Sequence, residues 1–285
     1  MIGVRMSRWR PLAVLAGLLA LAAIDARGSG AFAQARLEAR YAASLAGIPL
    51  GKGTWFVDIS GNQYVASASG ATTGLVKVFT GGQGSGSARG TIVSGNLVPA
   101  SYSVSVTTDK RTEEVQMTLG GGNVKDVVHT PEKKWPSRAI PLTESHRRNV
   151  IDPMTASLVS VRGNGDTLLA EACNRNLAVF DGSLRYDLDF VFKRMDSVKP
   201  KLGYVGPVVV CAVYFSPVAG HVPERAAIKY LTALRDMEVW LAPVAGTRVL
   251  APFRFSVPTP LGLGVLEATE FNVRPLPSKA SITVQ

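Results

Sequence analysis

After residue 35, apolar and polar positions alternate in short runs separated by Gly, Pro, Asn and Asp, the pattern of half-buried strands joined by tight turns. The alternation predicts strands over 37–45, 54–59, 63–69, 75–79, 88–93, 100–107, 113–119 and 124–129. They resume at 176–180, 184–193, 205–215, 237–242, 248–257 and 265–273. Gly61-Asn62, Gly120 to Asn123 and Asp181-Gly182 sit where hairpins need residues that tolerate positive φ. Turn signals recur every 8–14 residues or so, as in antiparallel sandwiches and barrels. The run Pro207-Val-Val-Val-Cys-Ala-Val-Tyr-Phe215 is apolar on both faces and reads as a central strand covered on both sides.

Two places break the strand pattern. Three prolines and several charges make 131–141 a surface loop, after which Asp152-Pro153 offers an N-cap and a first-turn proline for a short helix over 154–158. A second helix fits 226–234, and 275–285 reads as a loose tail. The class is therefore all-β and mainly antiparallel: a curved open sheet or partly open barrel with one or two short helices.

Residues 1–33 carry a different pattern. Arg5, Arg8 and Arg10 precede an apolar run from Pro11 to Ile24, and Ala31-Phe32-Ala33 closes the segment with small residues around one large one. This is the layout of a secretory signal, with 34–274 as one exported β-rich domain. Asp25 and Arg27 end the apolar run short of the ~20 residues that span a bilayer, and no later stretch reaches that length. Removing the segment takes four Arg and one Asp from a net +10 and leaves +7. The excess is dispersed in pairs such as Lys133/Lys134 and Lys193/Arg194, with no aromatic residues interleaved in a basic stripe, so nucleic acid is a poor partner. A solvated basic surface or contact with anionic lipid or an acidic partner both fit. Cys173 and Cys211 are the only cysteines. In an oxidising compartment they are expected to pair, closing a loop of about 38 residues.

Candidate chemistry is sparse. Ala46 to Thr54 suggests a phosphate loop, but Ala46 and Gly53 occupy places where that motif needs Gly and Ser or Thr. Gly81 to Gly90 lacks both the third glycine and the following helix of a dinucleotide fingerprint, and reads as a flexible hairpin loop. His129, His146 and His221 have no metal-ligand spacing. A nucleophilic set with Ser145 or Ser216 has no G-x-S-x-G elbow behind it. The paired acids Glu113/Glu114 and Asp187/Asp189 read as solvated surface. No cofactor and no metal site is expected, and a non-enzymatic protein is favoured over a hydrolase.

Taken in order, a set of motifs resembles one family. They are Tyr41-x-x-x-Leu45-x-Gly-Ile-Pro-Leu-Gly51, Thr73-Gly74-Leu75, Val98-Pro99-Ala100-x-Tyr102 and Asp152-Pro153-x-Thr155-Ala156. Cys173 follows, then Val179-Phe180-Asp181-Gly182, Arg185-Tyr186-Asp187-Leu188 and Gly206-Pro207-x-x-x-Cys211. Pro217-x-Ala219-Gly220-His221 and Glu238-x-Trp240-Leu241-Ala242-Pro243 complete the series. Over residues 38–273 the chain is similar to the exported proteobacterial proteins of domain of unknown function 3108. The resemblance implies a mostly antiparallel β protein of the Gram-negative periplasm and carries over no catalytic residues. Its outline is similar to curved open-barrel envelope proteins. Three readings follow: a carrier of a lipid-like ligand or envelope component, with an apolar cavity lined by Val, Leu and Phe; a solid-cored scaffold for protein partners; or a hydrolase built around one of the histidines.

Overall fold

The computed structural model describes residues 34–73 and 81–276. The signal segment, the strand expected at 75–79 and most of the expected tail lie outside the described residues. The first half is a meander of long strands: β1 (Gln34–Leu45), β2 (Ile48–Ser60), β3 (Gln63–Thr72), β4 (Gly82–Val93), β5 (Asn96–Thr108), β6 (Thr112–Gly120) and β7 (Asn123–Thr130). Three of its turns are two residues long with positive φ at both: Ala46-Gly47, Ser94-Gly95 and Gly121-Gly122. That geometry matches the right-handed twist of the flanking strands. The run Gly120 to Asn123 marks the last of these in advance, whereas Ala46 and Ser94 are residues that rarely take positive φ.

A linking region holds a 3-10 turn at Glu144–Arg147, helix α1 (Pro153–Ala156), the short β8 (Val159–Ser160) and a second 3-10 turn at Ala170–Ala172. The second half comprises β9 (Arg175–Phe180), β10 (Arg185–Val198), β11 (Leu202–Gly203), β12 (Gly206–Ala219), helix α2 (Ala226–Ala233), β13 (Met237–Pro243), β14 (Val249–Thr259) and β15 (Gly262–Pro275). β15 returns to β1 in antiparallel register, Ala39 opposite Phe271 and Ala35 opposite Pro275. Pro275 thus belongs to the sheet rather than to a tail. Hydrogen bonding joins everything into one sheet in the order β7-β6-β5-β4-β3-β2-β1-β15-β14-β13-β12-β10-β9, with β11 on β15 and β8 on β14.

The sheet curls until its outer strands, β7 and β9, approach each other, and one extended segment fills the gap. Val150 N donates to Gly122 O (2.8 Å) on the β7 side. Ile151 N donates to Ala178 O (2.9 Å), and Ile151 O accepts from Phe180 N (3.0 Å), on the β9 side. Gly182 packs against this seam with φ +93°; a Cβ there would lie 2.5 Å from Val115 Cγ1, so both backbone and space require glycine. His129 Nε2 meets Gly182 O at 3.0 Å across the same seam.

Burial follows strand alternation. Val208 and Val210 of β12 pack with Ala251, Phe253, Leu37, Val57 and Ile59. Val209, Cys211 and Val213, on its other face, pack with Val239, Leu241, Leu250, Val159 and Ala172. This is the doubly covered strand that the apolar run predicts. The structure joins Cys173, at the end of the 3-10 turn, to Cys211 (Cα–Cα 5.4 Å), which clamps the linking region onto this strand. α1 starts where expected: the fully buried Asp152 accepts from Met154 N (3.0 Å), Thr155 N (2.9 Å) and Thr155 Oγ1 (2.6 Å). Thr155 Oγ1 in turn meets Tyr64 Oη at 2.7 Å, so the cap is tied to β3.

Gly81 to Gly90 corrects the sequence reading. It is the core of β4, paired along its length to β3 and β5, with Gln83 opposite both Ala71 and Thr107. Ladder hydrogen bonds on both sides override the weak strand propensity of glycine.

Replacing both cysteines by serine is expected to cost roughly 4 kcal/mol of stability, from the loop the bridge closes. Chemical denaturation of Cys173→Ser/Cys211→Ser against the oxidised parent measures this; an unchanged midpoint would show that the clamp contributes nothing.

Candidate functional site

The curled sheet encloses a cavity of about 1510 Å³. One wall is built from large apolar side chains of the second half, among them Leu188, Phe190, Val213, Phe215, Val239 and Phe255. The opposite wall carries Trp55, Val104 and Val106, but has a glycine-rich strip between them. The inward positions of β4 along the cavity are Gly82, Gly84 and Gly86, facing the same space as Gly51 and Gly53 of β2 and Ala68 and Gly70 of β3. No side chain projects into the volume from this glycine strip, which leaves that part of the space open. α1 forms the floor, where Met154 Cε would lie 3.2 Å from a Cβ on Gly86. At the other end, Ile228 and Leu231 of α2 line the cavity beside Lys52, Asp109 and Lys110.

Next to this opening two hairpin tips lie together, Ala46 N donating to Leu263 O (2.9 Å). They hold apolar side chains in solvent: Ile48 is 63% exposed, Leu261 76% and Leu263 43%.

Polar groups gather at the floor. Tyr102 of β5, Tyr186 of β10 and Asp181, in the turn between β9 and β10, all line the cavity. Asp181 Oδ1 accepts from Ser183 N (2.7 Å) and Leu184 N (2.6 Å). Burial raises the Asp181 carboxyl above the usual carboxylate range, against those two bonds and the nearby charges of Lys133 and His129. Burial first, and the Asp181 charge next, push both the Tyr102 and Tyr186 phenols up. Tyr186 also packs its ring on Phe215, centroids 5.4 Å apart. Two neighbouring phenols are spoken for: Tyr41 donates to Pro252 O (2.5 Å) and Tyr64 pairs with Thr155.

The sequence candidates are scattered. His146 Nδ1 accepts from Thr143 N (3.1 Å) in a local turn with Ser145. His221 is buried and its carbonyl accepts from Ile140 N (2.8 Å), but it does not line the cavity. Ser216 pairs across to Asp187 in the β12–β10 ladder rather than to a histidine. Glu113 lies 2.8 Å from Arg111 and Asp187 lies 2.7 Å from Arg185, so these acids serve ion pairs, while Asp189 accepts from Asn176 (2.5 Å). No group of three metal-ligating side chains occurs among the described residues. Nor is any helix among them long and apolar enough to cross a membrane. Nothing in the sequence singles out Tyr102, Asp181 and Tyr186 as a site, because Tyr102 lies far along the chain from the other two and only the curled sheet brings it to them. Each does stand in a motif quoted above for the family resemblance.

Outside the cavity, Glu238 of β13 anchors a charged network. Arg194 grips it through two bonds (2.9 and 3.1 Å), Lys193 Nζ lies 2.7 Å away and Trp240 Nε1 donates to it at 3.0 Å. Arg194 and Arg254 each stand 5.2 Å from the Trp240 ring. Part of the basic excess is thus absorbed structurally.

A curled antiparallel sheet around a wide, largely apolar chamber with a polar floor defines a barrel-like, cavity-bearing β protein. The chain belongs to the family described as protein of unknown function (DUF3108), whose model matches residues 40–269. Among solved structures it is similar to a beta-barrel-like protein of domain of unknown function DUF1849 from Brucella abortus. Identity is 7%, coverage is 86% of this chain and 99% of that one, and the TM-score is 0.47. No curated protein matches the sequence.

The hydrogen bonds from Arg194 and its neighbours bring the Glu238 carboxyl down from 4.5 to about 2. A depressed acid stabilises the fold fully above its unfolded pKa and loses that contribution as pH falls through the folded value. Asp152 and Asp181, raised by burial, act in the opposite sense. Glu238→Gln is therefore expected to lower Tm by about 3 °C at neutral pH. The gap to the parent should shrink as pH falls from 4.5 to about 2. A gap independent of pH in calorimetry would contradict this account.

Proposed function

We propose that this is an exported periplasmic protein, without catalytic activity, whose chamber holds a lipid-like ligand or envelope component. The observation that carries the reading is the chamber itself. At about 1510 Å³ it exceeds the ~300–1,000 Å³ of ordinary small-molecule pockets. Its walls offer apolar side chains or bare backbone, which suit a long hydrocarbon chain better than a polar metabolite. The exposed Ile48, Leu261 and Leu263 near the opening suit contact with a lipid surface, and Lys52 and Lys110 at the opening suit anionic head groups. The amino-terminal Arg-rich and apolar segment and the Cys173–Cys211 bridge support export to an oxidising compartment. A solid-cored scaffold fits this interior less well, since its stability would come from filling the space that the glycine wall leaves open.

Filling the chamber tests the reading. A Cβ on Gly84 would meet Ser105 O at 3.5 Å and Val106 Cγ2 at 3.9 Å, ordinary contacts, so a larger side chain there enters the chamber without disturbing the ladder. Gly84→Phe is expected to keep Tm at or above the parent's and to weaken binding of the hydrocarbon fluorophore diphenylhexatriene by about tenfold or more. Equal binding by parent and variant, or none by either, overturns the carrier reading. For export, periplasmic fractionation followed by amino-terminal sequencing should return Gln34 as the first residue. Recovery of the intact chain from the cytoplasm would overturn it.

A further inference from the structure

We propose that the floor of the chamber is a hydrogen-bonding subsite, made by Tyr102, Tyr186 and Asp181, for the uncharged hydroxyl terminus of a long-chain amphiphile. The inference rests on the carrier reading and adds the chemistry and orientation of the ligand. Tyr102 is only 8% exposed and Tyr186 is half-buried, and neither hydroxyl has a hydrogen-bond partner among the described residues. Asp181 spends Oδ1 on the turn and leaves Oδ2 without a partner among them.

The contrast with Tyr41 and Tyr64 is informative. Those phenols are also buried, and each is paired to a protein oxygen. The two phenols and the carboxylate oxygen instead open onto one largely apolar chamber, where a few convergent polar groups are what fixes the orientation of an entering ligand. Tyr102 packs in one cluster with Phe180, which places it beside the turn that holds Asp181, and Tyr186 leaves the same turn along β10 to line the same chamber.

The donor and acceptor set selects the terminus. A hydroxyl accepts from a phenol and donates to a carboxylate, so it satisfies both kinds of group at once. A carboxylate terminus has no proton for Asp181 and meets a like charge in a poorly solvated site. Along β5 the distance from Tyr102 at the floor to Thr108 at the opening is about 20 Å at the rise of an extended strand. That is roughly the extended length of a long acyl or alkyl chain, so the polar end sits on the floor and the tail runs along the glycine wall to the opening.

Displacement of diphenylhexatriene by tetradecanol and by myristate, which carry chains of equal length, tests this. Tetradecanol should displace the probe from the parent at about a tenfold lower concentration than myristate. Tyr102→Phe/Tyr186→Phe should lose most of that preference, read as the ratio of the two displacing concentrations for each protein. Asp181→Asn, which can still accept in the turn, should relieve the discrimination against myristate. Tyr186→Phe alone serves if the double variant does not fold, with a partial loss expected. Equal displacement by alcohol and carboxylate in the parent overturns the subsite but not the chamber. So do floor variants that lose probe and alcohol in parallel. A parent that binds no diphenylhexatriene overturns the carrier reading and the subsite together.

Discussion

A curled sheet that stops short of closing leaves two rows of unpaired backbone groups facing each other, and the rest of this molecule follows from how that gap is met. β7 and β9 do not pair directly. The segment Asn149–Ile151 lies between them, bonding Gly122 on one side and Ala178 and Phe180 on the other. Closure through a third segment widens the circumference, because it adds a spacer where a direct ladder would draw the edges together. The same segment leads into Asp152, whose buried carboxylate caps α1 and, through Thr155, holds Tyr64. Edge, floor and first half of the sheet are thus tied at one point.

The chamber is the consequence of two unequal walls. Strand alternation places large apolar side chains inward from β10, β12, β13 and β14, whereas the inward row of β2, β3 and β4 changes from Trp55, Val57, Ile59 and Tyr64 at one end to Gly51, Gly53, Gly70, Gly82 and Gly84 at the other. Towards α1 the two halves meet in a filled core of Leu37, Val57, Phe253 and Phe271; towards α2 the glycine wall leaves the space open. Cys211 carries the bridge to the linking region from within the strand that is buried on both faces. Such a division lets the open end forgo side-chain packing, which is a condition for holding a bulky apolar guest.

Membership in the DUF3108 family assigns no chemistry, and neither does the barrel-like architecture. What directs attention within the fold is polarity out of place. Most titratable side chains are engaged in ordinary roles: His129 at the seam, His146 in a turn, Glu238 in an outer network. Tyr102, Tyr186 and Asp181 are the ones that meet inside the chamber, where desolvation acts on each of them.

Much of this architecture is local and therefore legible in the sequence. Period-two alternation determined the strands, Asp152-Pro153 the start of α1, Gly121-Gly122 a hairpin, and the run after Pro207 a strand with no solvent face. Each depends on neighbours a few residues away. The Gly81–Gly90 stretch was misleading for the converse reason: its intrinsic preference is for a loop, and only pairing with β3 and β5 on both sides makes it a strand. The site was hidden in the same way. Residues 102, 181 and 186 come together because a long curled sheet brings β5 back against the β9–β10 turn, and chain spacing holds no trace of that distance. The sequence by itself determined which residues face inward; the tertiary structure decided what they face, because register and curvature are set by contacts between strands far apart in the chain.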